Sequence, residues 1–252
     1  MALFRLDYST SKIPAVTLLF WIIKIAATTL GETGGDAVSM SMDFGYLAST
    51  AIFGLLFLVF VSLQVRADKF HPFLYWATII ATTTVGTTLA DFADRSLGIG
   101  YAGGSLLLLA LLAGSLATWR AATGSIAVNH ITSPKAEIFY WVTIMFSQTL
   151  GTALGDWAAD TAGLGYVGAA VVFGAALAAV VLVYFKTSVS RTALFWAAFI
   201  LTRPLGAVVG DFLDKPVANG GLELSRYTAS AVLLVFIVGC ILLFRQRAGR
   251  QH

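Results

Sequence analysis

Apolar residues run along this chain in long blocks separated by short polar connectors. A helix that crosses a bilayer needs about 20 mostly apolar residues. Eight blocks approach that length: 14–36, 45–65, 71–91, 100–119, 136–156, 165–185, 191–211 and 227–244. Each is expected to be helical, because a backbone surrounded by lipid must satisfy its own N–H and C=O groups. The pattern predicts an all-α, polytopic membrane protein of about eight transmembrane helices. The first block has the length of a signal peptide, but it carries Lys24 and Glu32 and opens a pattern that returns three times.

That pattern is an internal repeat. An aromatic–Trp pair opens every odd-numbered block: Phe20-Trp21, Tyr75-Trp76, Tyr140-Trp141 and Phe195-Trp196. Ten residues after each Trp stands a glycine: Gly31, Gly86, Gly151 and Gly206. Fifteen residues after each Trp stands an aspartate: Asp36, Asp91, Asp156 and Asp211. A Gly-Tyr pair opens the following block in three copies (Gly45-Tyr46, Gly100-Tyr101, Gly165-Tyr166), and Tyr227 alone remains in the fourth. The chain therefore reads as one membrane domain, 1–252, with repeats at roughly 14–66, 69–120, 134–186 and 191–245. Two helices per repeat make all four copies parallel, related by pseudo-symmetry about an axis along the membrane normal.

Two stripes run down each odd helix, since positions three or four apart share a face. One is small: Ala27-Gly31-Gly35, Thr82-Gly86-Ala90, Ser147-Gly151-Gly155 and Thr202-Gly206-Gly210. Small residues let membrane helices approach closely, so this stripe is read as helix packing. The other is polar: Lys24-Thr28-Glu32-Asp36, Ile79-Thr83-Thr87-Asp91, Ile144-Gln148-Thr152-Asp156 and Phe199-Arg203-Ala207-Asp211. It covers roughly 18 Å at 1.5 Å per residue. Ionisable residues at that depth face a bundle interior or a wet cavity. A transport path is one reading. Structural ion pairs, Lys24 with Glu32 or Arg203 with a neighbouring acid, are the other. Pro204 beside Arg203 frees the carbonyl of Ile200.

The four terminal aspartates sit where the helix dipole disfavours negative charge. Capping of the next turn, contact with water, and an acidic ring at a pore mouth all remain open for them. Glu32, Asp36, Asp91, Asp156 and Asp211 are the candidate metal ligands, and hard cations prefer such oxygens. The four Trp residues read as interfacial or packing aromatics.

Composition supports the membrane reading. Charged residues make up 12% of the chain, against about 25% in soluble domains. The connectors divide Lys and Arg unevenly. Arg5, Lys12, Arg66, Lys69, Arg120, Lys135, Lys186, Arg191, Arg245, Arg247 and Arg250 fall on one side, and Arg95, Lys215 and Arg226 on the other. The positive-inside rule then puts both termini in the cytoplasm, across a bacterial inner membrane. The single Cys240 allows no disulfide, and His71, His130 and His252 fall in connectors or the tail. No cofactor, no nucleic acid and no enzymatic activity are expected. The partners are the bilayer and a small ion or solute, and homo-oligomerisation is left open.

The four-copy Trp–Gly–Asp pattern resembles a bacterial membrane family catalogued as a repeat of unknown function (domain of unknown function 347), with four tandem repeats of two transmembrane segments and a characteristic Trp in each. Trp21, Trp76, Trp141 and Trp196 carry the likeness, which covers nearly the whole chain. The resemblance implies no activity. The residues themselves point to a transporter or channel for a small cation, a divalent metal or a proton. Alternatives are an anionic or zwitterionic solute bound by Lys24 and Arg203, or a non-transporting scaffold.

Overall fold

A computed structural model describes residues 10–128, 131 and 133–250. Arg5, His130 and His252 lie outside the described residues. The described chain folds into eight α-helices: α1 (Leu18–Asp36), α2 (Gly45–Arg66), α3 (Pro72–Asp91), α4 (Tyr101–Thr123), α5 (Pro134–Asp156), α6 (Gly165–Lys186), α7 (Arg191–Asp214) and α8 (Arg226–Leu243). Local chemistry sets several of their ends. Thr17 and Ser133 accept hydrogen bonds from Phe20 N and Ala136 N, at 3.3 and 3.2 Å, as N-caps do. Pro72 and Pro134 stand at first helical positions, where no N–H is needed. Gly45, Gly100 and Gly165 have φ of 71°, 76° and 64°, a left-handed conformation that glycine adopts without strain. That explains the glycine of the Gly-Tyr pairs.

One expected boundary is corrected. The first helix does not begin at residue 14, because Thr10–Pro14 forms a strand, β1. It pairs antiparallel with a second strand, β2 (Ala248–Arg250). Ala15 N donates to Arg247 O at 2.8 Å and extends the clasp.

The core is a ring of the four odd helices. α1 packs on α3, α3 on α5, α5 on α7, and α7 back on α1. Each even helix packs outside the odd helix of the next repeat: α2 on α3, α4 on α5, α6 on α7. α8 completes the series by packing on α1. Short connectors join α2 to α3, α4 to α5 and α6 to α7. No connector joins α8 to α1, and the β1–β2 clasp bridges that seam instead.

Six helices are long and apolar enough to cross a membrane: α2, α3 with its following turn, α4, α6, α7 and α8. Only 6% of the α2 and α6 spans is buried in protein, against 72% for α3, so the even helices are the outer layer. Their exposed faces are Leu, Val, Ile and Phe. This is the surface of a membrane protein with transmembrane helices. α1 and α5 fall short of the hydropathy criterion because of composition. α1 carries Lys24, Glu32 and Asp36, and α5 is rich in Thr, Ser and Gln. Both are enclosed by neighbours, which is where polar side chains in a bilayer are tolerated.

Candidate functional site, the axis of the ring

Close approach of the odd helices comes first, because it decides which faces meet. A Cβ on Gly31 would fall 2.6 Å from Thr83 Oγ1, and one on Gly86 3.0 Å from the backbone of Gln148. The same position in the next two copies, Gly151 and Gly206, packs directly on Arg203 and Thr28. One turn further, a Cβ on Gly35, Gly155 or Gly210 would fall 3.2, 3.1 or 2.6 Å from Thr87, Ala207 or Glu32 respectively. Each small stripe thus receives the polar stripe of the next repeat, and the fourth copy receives the first. This turns all four polar stripes towards the interior of the ring, where every residue in them is at most 4% exposed.

The axis is layered. At the aspartate end, Asp36, Asp91, Asp156 and Asp211 are buried, with exposures of 0–3%. They are tied in neighbouring pairs by side-chain cations. Arg95 reaches Asp91 at 2.9 Å and Asp156 at 3.3 Å. Lys215 contacts Asp36 and lies 3.1 Å from Asp211. Arg226 holds Asp214 at 2.8 Å and approaches Asp36 at 3.9 Å. Burial works against the charge on Lys215, yet Asp211 and Asp36 more than offset it and hold the ammonium above its ordinary pKa. The capping role open to the aspartates is not what they perform: Asp36, Asp91 and Asp156 make no side-chain cap. A five-residue π-helical turn begins directly after each of these three, at Ala37–Ser41, Phe92–Ser96 and Trp157–Thr161. Such widened turns occur frequently at functional sites.

One turn inward lie Glu32, Thr87, Thr152 and Ala207. Arg203 rises into this layer from α7, where Ala207 leaves room for it. Its Nη2 donates to Glu32 Oε2 at 3.0 Å, to Thr87 Oγ1 at 2.6 Å, and to Thr152 Oγ1. Thr87 Oγ1 in turn donates to Glu32 Oε2 at 3.2 Å. One guanidinium therefore joins all four odd helices across the axis.

The next layer is Thr28, Thr83, Gln148 and the stem of Arg203. Thr28 bonds to Ile25 O and Thr202 O. Thr83 Oγ1, both amide atoms of Gln148, and Nε and Nη1 of Arg203 have no hydrogen-bond partner among the described residues. Below it come Ile79, Ile144 and Phe199 with Lys24, all 0% exposed. Lys24 does not pair with Glu32. Its Nζ lies 4.1 Å above the Phe199 ring and 3.4 Å from Thr202 Oγ1.

At the tryptophan end the axis is aromatic. Phe20 meets Trp76, Tyr75 meets Trp141, Tyr140 meets Trp196 and Phe195 meets Trp21, with centroids 5.5, 5.7, 6.3 and 5.8 Å apart. Tyr75 and Tyr140 share a 2.7 Å hydrogen bond between hydroxyls. Trp76, Trp141 and Trp196 are buried, whereas Trp21 is half-buried.

Three features escape a reading of the sequence. The aromatic ring closes between repeats, so only the Phe or Tyr before each Trp hints at it. Arg95 and Lys215 look like loop cations, although each stands four residues after an aspartate it binds, and that spacing is a usable signal. Lys12 forms a 2.5 Å ion pair with buried Glu137, bridging the β1 clasp to α5. Among the candidate metal ligands, oxygens of Glu32, Asp36 and Asp211 lie within 4.8 Å of one another, close enough for one ion. Arg203 and Lys215 already sit on those same carboxylates. Asp91 and Asp156 are held by Arg95.

Neither a curated protein nor a solved structure matched the chain. The profile of one family, described as Repeat of Unknown Function (DUF347), matches four times, at residues 19–70, 74–125, 139–190 and 194–248. Each match begins within two residues of an aromatic–Trp pair and takes in that repeat's layers of the axis, and together they cover more than half of the chain: it belongs to the DUF347 repeat family.

Proposed function

We propose that the protein is a transporter that moves a small cation along the axis of the ring. In this reading all eight helices span the membrane, and the repeats run parallel around an axis along the membrane normal. Both termini face the cytoplasm of a bacterial cell. The aspartate end then opens outwards, and the tryptophan end inwards.

The observation that carries the reading is the position of Arg203, whose single guanidinium meets Glu32, Thr87 and Thr152 on the three other helices. A purely structural ion pair needs two helices. A side chain that engages all four at the centre of a polar axis is placed to shut that axis, and to open it by leaving. The acids above it supply the cation site. An arriving divalent ion or proton would compete with Lys215 for Asp36 and Asp211, and with Arg203 for Glu32. Loss of the Glu32 contact would free Arg203, so that occupancy of the acids and opening of the axis are one event.

Purified protein in liposomes tests this with dyes for divalent metals and for protons. A cation gradient should drive flux through the wild type, and Asp36→Asn, which removes a cation ligand but leaves the Arg203–Glu32 contact in place, should lower it at least tenfold. Absence of flux for every cation from correctly folded protein would overturn the cation reading and leave the solute and scaffold readings standing.

A further inference from the structure

We propose that the axis also holds a small oxyanion, seated mid-way between the two ends on Lys24, Thr83, Gln148 and Arg203. Every one of these side chains is 0% exposed. Lys24 has no carboxylate partner among the described residues; its ammonium has one hydroxyl at 3.4 Å and the face of Phe199. A buried charge without a counter-charge is costly, and a helix in lipid offers no water to soften that cost. The layer one turn outward contains five polar atoms that no group among the described residues satisfies: Thr83 Oγ1, Gln148 Nε2 and Oε1, and Arg203 Nε and Nη1. Buried polar groups are nearly always hydrogen-bonded, so five in one layer, from three adjacent helices, mark a place made for a ligand.

The chemistry of the set selects the ligand. It is rich in donors: two N–H groups of a guanidinium, an amide NH2, a hydroxyl and, about 6 Å along the axis at 1.5 Å per residue, an ammonium. Arg203 is divided between two tasks. Nη2 faces Glu32, Thr87 and Thr152, whereas Nε and Nη1 are unused. Nε and Nη1 share no edge, so each gives its own hydrogen bond, and such charge-assisted donors favour an oxygen of a carboxylate, phosphate or sulfate. Within these two layers and the Glu32 layer, Lys24 and Arg203 are the bases and Glu32 is the single acid, and a bound oxyanion supplies the counter-charge that an ammonium at Lys24 lacks. It would also remove the barrier that a cation meets after leaving the aspartates, so the inference deepens the transport reading: the two ions would move together.

Binding is measured on the purified full-length protein by calorimetry with sodium acetate, phosphate and sulfate, and with sodium chloride as a halide reference. At least one oxyanion should bind saturably and more tightly than chloride. Lys24→Met and Gln148→Leu should each weaken it at least tenfold, Lys24→Arg should retain it, and Lys186→Gln on the outside of α6 should leave it unchanged. Gel filtration and circular dichroism establish that each variant is folded. No oxyanion binding to folded wild type overturns the proposal, as does equal affinity in folded Gln148→Leu. Liposome flux separates this site from the transport reading. Binding without any cation flux sinks transport and leaves the site, and cation flux without oxyanion binding does the reverse.

Discussion

Gly206 on α7 packs directly on Thr28 of α1, so the last repeat meets the first through the contact that joins Gly31 to Thr83 and Gly86 to Gln148. The ring is closed by the rule that builds it. A methyl group at this position has nowhere to go, because Thr28 Cβ and backbone C, which no rotamer change can move, would lie 2.6 and 3.0 Å from it. Gly206→Ala should cost about 1–3 kcal/mol, the usual penalty of overpacking. Gly174→Ala, on an open face of α6 with nothing within 4 Å, should be neutral or slightly stabilising. Thermal unfolding in detergent compares the two.

Arg203 and Glu32 are 0% and 3% exposed, and each is the other's counter-charge. Removing one partner of such a pair costs about 3–5 kcal/mol, because the survivor is stranded. Arg203→Leu should therefore unfold at markedly lower denaturant. The double variant with Glu32→Leu should recover much of the loss. A double-mutant cycle that showed simple additivity would mean the two do not interact.

The shared hydroxyl bond of Tyr75 and Tyr140 predicts a larger cost for the single change than for the double one. Tyr75→Phe leaves the Tyr140 hydroxyl buried and without its partner, at a cost of about 1–3 kcal/mol. Tyr75→Phe with Tyr140→Phe removes both groups and should be close to neutral. The equivalent positions in repeats one and four are already Phe20 and Phe195.

Lys215 gives a pH signature. Its ammonium is held above the ordinary value of 10.5 by Asp211 and Asp36. A raised folded pKa means stability that is fully present below the unfolded value and lost as pH rises through the folded one. The difference in melting temperature between wild type and Lys215→Met should be flat from neutral pH to about pH 10, and should shrink only above that. A difference that vanished near pH 8 would contradict the placement of Lys215 between two carboxylates.

The repeats and helix positions were legible in the sequence because membrane helices advertise themselves by length, and because Trp, Gly and Asp recur at fixed offsets. The polar stripe was legible for the same reason: Thr28, Thr83, Gln148 and Arg203 share one offset, so one fold rule places all four. What packs on what was not. Nothing in α2 says that it belongs to α3 rather than to α1, since its apolar residues have no face preference. The strand at Thr10–Pro14 was missed because five residues carry no periodic signal and its partner lies over 230 residues away. The roles of Arg95 and Lys215 were obscured by their loop positions, and the one trace of them in the sequence is that each stands four residues after the aspartate it binds.

The β1–β2 clasp and the seating of α8 on α1 bear on how the molecule is made. During synthesis α1 emerges well before α7 and α8, its neighbours on the open side. The helix bearing Lys24, Glu32 and Asp36 must wait, half enclosed, until those two helices have left the ribosome. Its three charges meet their final surroundings only then, so insertion of this protein is governed by its tail as much as by its head.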